Sequence, residues 1–485
     1  MTGVLVAGTT SDAGKSLVAA GLCRWLARRG VRVAPFKAQN MSNNSMVCAD
    51  GAEIGRAQWL QARAAGVEPE AAFNPVLLKP GSDRRSHIVA MGKPFGVLDA
   101  GEYATGRRAL AKLAFDAYRE LDRRFDVVVC EGAGSPAEVN LRDGDYVNMG
   151  LAREFGLPVL VVGDIDRGGV LAAMYGTLAL LDREDQDLVA GWVVNKFRGD
   201  LGLLRPGLAT LTERTGRPVF GVLPWLDGVW IDTEDSLGAL AAAGWAGQGA
   251  AGAAIRVAVV RFPRASNATD VDALVAEPGV AVSLTADPDV VATSDIVVLP
   301  GSRATVSDLR WLTERGLADA VKARAAAGKP VLGVCGGYQM LATRIADDVE
   351  SGAGTVDGLG LLPSTVDFTA EKVLATPVGR WRGHAVRAYE IHHGRATVPE
   401  NPDVEPFLDG CRRGPVWGTM WHGAFDNDGF RRAWLAEAAA QAGIAWTPRA
   451  DAPGFADLRE RMLDSLADAI GQHLDTEALR RLMKL

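Results

Sequence analysis

Short runs of aliphatic residues, each followed by a stretch of helical periodicity, recur along this chain of 485 residues and leave few architectures open. In the first half they lie at Val4 to Ala7, Val31 to Pro35, Val127 to Cys130, Pro158 to Gly163 and Gly191 to Val194. Strands apolar at nearly every position need both faces covered, as helices cover a mostly parallel sheet, so the fold class is α/β. The second half repeats the style at Asp295 to Leu299, Pro330 to Val334 and Pro415 to Met420. Between the halves, residues 241–254 read AAAGWAGQGAAGAA, a composition that suits a linker. The expected division is a first domain over 1–245, a linker over 246–254, a second domain over 255–450 and a helical tail over 451–485. In that tail Phe455, Leu458, Met462, Leu466, Ile470 and Leu474 recur at three- and four-residue spacing, an amphipathic helix expected to pack on the second domain.

With 48% hydrophobic and 23% charged residues the chain reads as an ordinary globular protein, too long for one core. Its net charge of −7 is not broken by a basic block, which argues against nucleic acid as a partner. Five cysteines at 23, 48, 130, 335 and 411 form no close pairs, which excludes a CxxC zinc site and fits a reducing compartment. The N-terminus enters an apolar strand directly and no apolar stretch reaches the length of a membrane span, so a cytoplasmic location is expected and no membrane.

The segment GTTSDAGKS, Gly8 to Ser16, leaves a strand and enters a helix, the order in which a phosphate cradle is built. Gly8, Thr9 and Gly14 bring backbone N–H groups to phosphate oxygens, Lys15 neutralises the β- and γ-phosphates, and the Ser16 hydroxyl is a ligand for Mg²⁺. The ligand read from this is ATP. Five residues separate Gly8 from Gly14, where the common phosphate loop has four. Glu131, just past the strand VVVC, is the acid expected to share the metal. Asp164 and Asp166 follow another strand in VLVVGDIDRGG and are candidates for the metal or the acyl-phosphate region, with turn-forming aspartates the equal alternative. In FKAQNMSNNS, Lys37, Gln39 and Asn40 are candidate substrate contacts, again against a polar turn. Asn195, after a strand in NKFRGD, has the paired donor and acceptor to read a purine edge.

In PVLGVCGGYQML, Cys335 stands between a strand and a helix start, before Gly336 and Gly337, which is the layout of a nucleophile elbow. A nucleophilic thiol needs a nearby base or a helix N-terminus. Of His384, His392, His393, His422 and His473, His422 is best placed, ending the strand-like VWGTMWHG. Backbone N–H groups at Gly301, in PGSR, and at Gly336 are candidates for an oxyanion site.

GVCGG with a later His-Gly resembles the class I glutamine amidotransferase domain, of flavodoxin-like fold. The resemblance implies Cys335 as nucleophile, His422 as base and glutamine as ammonia source. Members of that class mostly carry an acid two residues after the histidine; here Ala424 stands there, which leaves the partner that orients His422 open. The first half resembles the dethiobiotin synthetase-related ATP-binding domain, of P-loop NTPase-like fold, and EGAGSPAE resembles its metal-binding segment. Across residues 36–423, FKAQNMSNNS, GDIDRGG, NKFRGD, LPGSRATVSDL and YEIHHG resemble the cobyric acid synthase family segment by segment. That implies a cobalamin-pathway ligase that uses ATP, Mg²⁺ and glutamine to amidate the b, d, e and g carboxylates of adenosylcobyrinic acid a,c-diamide. The alternatives are the a,c-diamide synthase acting one stage earlier, a partitioning-type ATPase switch, whose loops usually carry a further lysine absent before Lys15, and an amidotransferase-like scaffold with a silent thiol.

Overall fold

The run GVLVAG forms β1 (Gly3–Gly8), buried throughout, at the centre of a six-stranded parallel sheet. In the computed structural model its companions are β2 (Val33–Phe36), β3 (Val127–Glu131), β4 (Val159–Asp164), β5 (Val189–Phe197) and β6 (Val219–Pro224), in the order β6-β5-β4-β1-β3-β2. The structure describes residues 2–80, 85–99, 103–229 and 255–485. The expected boundary at 245 and the linker 246–254 lie outside these described residues.

The strand pairs of this sheet are all parallel, so all six carboxyl ends lie along one edge. Loops leaving that edge carry the ligand sites of such sheets. Helices α1 (Lys15–Ala27) and α2 (Arg56–Ala65) cover one face.

The chain forms two compact units. The first comprises Met1–Ser42, Ala52–Asp232 and Arg459–Leu485; the second comprises Asn43–Gly51 and Thr233–Leu458. The second unit is built on β7 (Ile255–Val260), β8 (Val280–Thr285), β9 (Ile296–Leu299), β10 (Val331–Val334), β11 (Glu405–Phe407), β12 (Gly410–Arg413) and β13 (Val416–Thr419). Its order is β8-β7-β9-β10-β13-β12-β11, with five parallel strands and an antiparallel pair at one edge. The parallel part has the flavodoxin-like doubly wound order, which reverses direction between β7 and β9; ligands bind such sheets at that switch point. Cys335 closes β10 and opens the short helix α3 (Gly336–Leu341).

The tail departs from expectation. Helix α4 (Phe455–His473) belongs to the first unit from Arg459 onward, not to the second. Met462, Leu463, Leu466 and Ile470 join one core with Val4, Leu22 and Trp25. Close approach explains the choice: a Cβ on Gly21 of α1 would lie 2.9 Å from Ile470, so glycine there lets the two helices meet. Arg24 then bonds Asp464 at 2.9 Å and Glu460 at 3.0 Å. A final helix, α5 (Thr476–Leu482), follows, and Asp475 N–H donates to Phe220 O of β6 at 2.7 Å. Amphipathic periodicity revealed the apolar stripe of this helix but not the surface it covers.

Candidate active site

At the end of β1 the chain turns through Ser11–Ala13 and enters α1 at Gly14, whose φ of +102° lies in the left-handed region. Glycine is required there twice over. Its φ is unfavourable for a side chain, and a Cβ would stand 2.0 Å from Asn195 Nδ2. The buried Lys15 ammonium donates to Thr10 O and Ser11 O, both at 2.9 Å, and to Gly134 O at 3.1 Å. It thus lies folded along the loop whose phosphates it was expected to meet. Thr9 N–H donates to Val162 O of β4 at 2.9 Å, which pins the loop's first residue to the sheet.

Glu131, the last residue of β3, is wholly buried and carries three partners. Ser16 Oγ donates to its Oε1 at 2.8 Å, Lys37 Nζ to the same oxygen at 3.0 Å, and Gln61 Nε2, from α2, to Oε2 at 2.5 Å. Burial pushes this carboxyl up, but the Lys37 ammonium, with the Gln61 amide and Ser16 hydroxyl, outweighs it and holds it below the usual range. Ser16 and Glu131 offer hard oxygen ligands side by side, the donor set that suits Mg²⁺ completed by nucleotide phosphates. Among the described residues no group of three or more His, Cys, Asp or Glu forms a cage of its own. The Ser16 hydroxyl and Glu131 carboxylate, 2.8 Å apart, fit a metal whose other ligands are phosphate oxygens.

Of the other expected contacts, Lys37 faces Glu131 itself, and Tyr146 donates to Gln39. Asn40 is buried and donates to Gln58 Oε1 at 3.0 Å. Asp164 lies at the far side of the loop, bound to Lys196 Nζ at 2.6 Å and capping Asp166 N–H at 2.8 Å. Asp166 itself pairs with Arg198 at 3.3 Å. Asn195 uses its Nδ2 to hold Ala13 O at 3.0 Å, so one half of its donor–acceptor pair supports the loop instead of reading a base. The sequence reading missed Gln61 and Lys196. Nothing in the Ala-rich α2 marks Gln61, whereas Lys196, next to Asn195, needed only its φ of +63° to turn it toward Asp12 O, 2.9 Å away.

In the second unit Cys335 takes φ +48° and ψ −109°, a conformation that costs a non-glycine residue on the order of 1–3 kcal/mol and clusters at functional sites. The elbow is held by Cys335 N–H donating to Thr419 O of β13 at 2.8 Å. A Cβ on Gly336 would lie 2.7 Å from Ser302 N, and one on Gly301 3.0 Å from His422 Cε1. The PGSR loop after β9 therefore lies against both the elbow and the histidine.

His422 follows β13 and is fully buried. Its Nδ1 lies 2.7 Å from Asp270 Oδ2, and Asp270 Oδ1 accepts from Gly423 N–H, also at 2.7 Å. Tyr389 stacks on the ring at 5.3 Å between centroids, and the two backbones exchange hydrogen bonds of 2.9 and 3.0 Å. Burial alone would depress the imidazole; Asp270 first and Cys335 next reverse that and push it up to about 10. His392 and His393 lie instead on Glu390–Thr397 of a separate sheet, and His473 ends α4. Asp270 was not anticipated. The available signal was an acid in the loop after β7, at the carboxyl edge of a parallel sheet.

Two families of domain match in sequence: a CobQ/CobB/MinD/ParA nucleotide binding domain over residues 4–237 and a CobB/CobQ-like glutamine amidotransferase domain over 256–430. The chain is 61% identical to the cobyric acid synthase of Cutibacterium acnes, with both chains covered in full. It is 57% identical to that of Frankia casuarinae and 58% to that of Streptomyces avermitilis, over 99% of this chain and 96% of each relative. With a nucleotide-binding unit and a thiol unit each built as such a pairing requires, and with this identity along its whole length, the chain belongs to the cobyric acid synthase family.

Proposed function

We propose that the chain amidates the b, d, e and g carboxylates of adenosylcobyrinic acid a,c-diamide, using ATP for activation and glutamine as the source of ammonia. The observation that carries this reading is that Cys335, strained on its elbow, acts on the buried His422 in a chain whose first strand also turns through GTTSDAGKS into a helix.

A carboxylate is a poor acyl donor, so its oxygen takes the γ-phosphoryl group of ATP, giving an acyl phosphate and ADP. Gly8, Thr9, Gly14 and Lys15 hold the phosphates; Ser16 and Glu131 would hold Mg²⁺, which neutralises charge on the transferring group. Lys37, Gln39 and Asn40 are the candidate contacts of the corrinoid carboxylate that accepts the phosphoryl group, with Lys37 already on Glu131 and Asn40 on Gln58. In the thiol unit Cys335 Sγ attacks the glutamine carboxamide carbon, and N–H groups of Gly301 and Gly336 receive the oxyanion. The imidazolium of His422 gives its Nε2 proton to the departing nitrogen, which leaves as ammonia with a γ-glutamyl thioester behind. The neutral ring then takes a proton from water as water attacks the thioester, releasing glutamate and restoring thiolate and imidazolium. Ammonia displaces phosphate from the acyl phosphate and yields the amide. Five free thiols agree with a cytoplasmic setting, and among the described residues no helix is long and apolar enough to cross a membrane.

The test is ATP-dependent conversion of the corrinoid a,c-diamide followed by mass spectrometry. The intact chain exchanges hydroxyl for amino groups stepwise with glutamine. Cys335→Ala abolishes this and regains it with ammonium. A corrinoid left unchanged while glutamate accumulates would leave the thiol chemistry standing and overturn the substrate.

A further inference from the structure

The family resemblance left the histidine without its acid, because Ala424 stands where related domains carry one. The loop after β7 supplies a carboxylate instead, Asp270, bonded to the ring's Nδ1. We infer that Asp270 is the positioning residue of the thiol site, holding His422 in the one tautomer and orientation that points Nε2 at Cys335.

Three observations converge. Asp270 uses both oxygens on the same short segment, Oδ2 on His422 Nδ1 and Oδ1 on Gly423 N–H, each at 2.7 Å. A carboxylate gripping the ring and the next backbone amide resists both rotation of the imidazole and sliding of its loop. Asp270 occupies Nδ1, and Cys335 acts on the same buried ring, which leaves Nε2 as the nitrogen available for proton transfer. The turn that carries the acid, Ala268–Val271, lies at the β7/β9 switch point, so the acid, the PGSR loop and the elbow all leave the same edge of the sheet.

Asp270 is separated from His422 by 152 positions in the chain. A triad is defined by geometry and role, not by chain order, and here the acid comes before both nucleophile and base. The groups that act on the ring are Asp270 at Nδ1, the Cys335 thiol and the Tyr389 ring on its face. Of these, the carboxylate acts most strongly to keep the ring protonated. Removing its charge lowers the imidazole pKa, so the imidazolium is lost at lower pH.

The inference rests on the thiol-site reading above, and glutamine hydrolysis to glutamate, measured without corrinoid, tests it separately from the choice of acceptor. In full-length Asp270→Asn, kcat for hydrolysis falls about 10²-fold or more, as it does when a triad acid loses its charge. KM for glutamine and ammonium-dependent amidation hold, and the alkaline limb of the pH profile moves to lower pH. Asp270→Glu, which keeps the charge, recovers part of the rate and the position of that limb. Hydrolysis near the wild-type rate in Asp270→Asn, with Cys335→Ala inactive, would overturn this inference and leave the thiol reading intact. An unshifted pH profile, or equal losses in the Asn and Glu variants, would also overturn it by reducing Asp270 to a packing residue.

Discussion

At the scale of single residues, each half of the protein turns on one backbone conformation that ordinary residues avoid. Cys335 at φ +48° and Gly14 at φ +102° stand where a strand passes into a helix, and each aims polar groups out of the sheet edge. The two differ in what could replace them. At Gly14 a methyl would meet Asn195 Nδ2 at 2.0 Å, so the fault is both steric and conformational. Gly14→Ala is therefore expected to abolish nucleotide binding and ATP-dependent amidation while glutamine hydrolysis continues, measured by nucleotide titration and glutamate release on one preparation. Adding Asn195→Ala removes the clash but not the left-handed φ, so the double variant recovers binding only in part.

At the scale of elements, residues Asn43–Gly51 stand out, because they belong to the second unit although the chain on both sides belongs to the first. Ser45 N–H donates to Asn267 Oδ1 at 2.8 Å, three positions before Asp270, and Val47 packs with Tyr389, whose ring stacks on His422. The segment thus braces two supports of the histidine. Asn267 holds φ +50°, which asparagine tolerates and glycine adopts freely. Asn267→Gly keeps that backbone and removes only the acceptor of the Ser45 N–H, at a cost of about 1 kcal/mol, the net value of one hydrogen bond. Glutamine hydrolysis is expected to slow with ammonium-dependent amidation unchanged. Asn267→Ala, strained as well, should be less stable than Asn267→Gly by roughly 1 kcal/mol in denaturant titration.

Over the whole molecule, the chain's last residues complete its first core. Leu466 and Ile470 of α4 lie in one cluster with Val4, Leu22 and Trp25, so the first unit's core needs this helix. Leu466→Ala removes a fully packed side chain and should cost about 2–5 kcal/mol. The loss is expected in the transition that ATP shifts upward in calorimetry, because a ligand stabilises the unit that binds it. A chain ending at residue 450 should keep neither nucleotide binding nor amidation.

The sequence by itself determined the parallel strands, and it placed the GTTSDAGKS turn, Glu131, Cys335 and His422 at or just past strand ends. Those features depend on contiguous residues: a buried strand must be apolar, a loop that cradles phosphate must carry glycine, and a strand-to-helix turn places its residue at the sheet edge whatever surrounds it. Only the tertiary structure decided that Asp270 meets His422, that Gln61 meets Glu131, that Asn195 holds Ala13, that FKAQNMSNNS divides between the units, and that the tail completes the first one. Each of these joins segments far apart in the chain, where strand order and helix approach set the pairing and local composition does not. A carboxylate in a loop looks the same whether it faces water or a buried imidazole. The packing of β7 beside β9 is what brings this one to the ring.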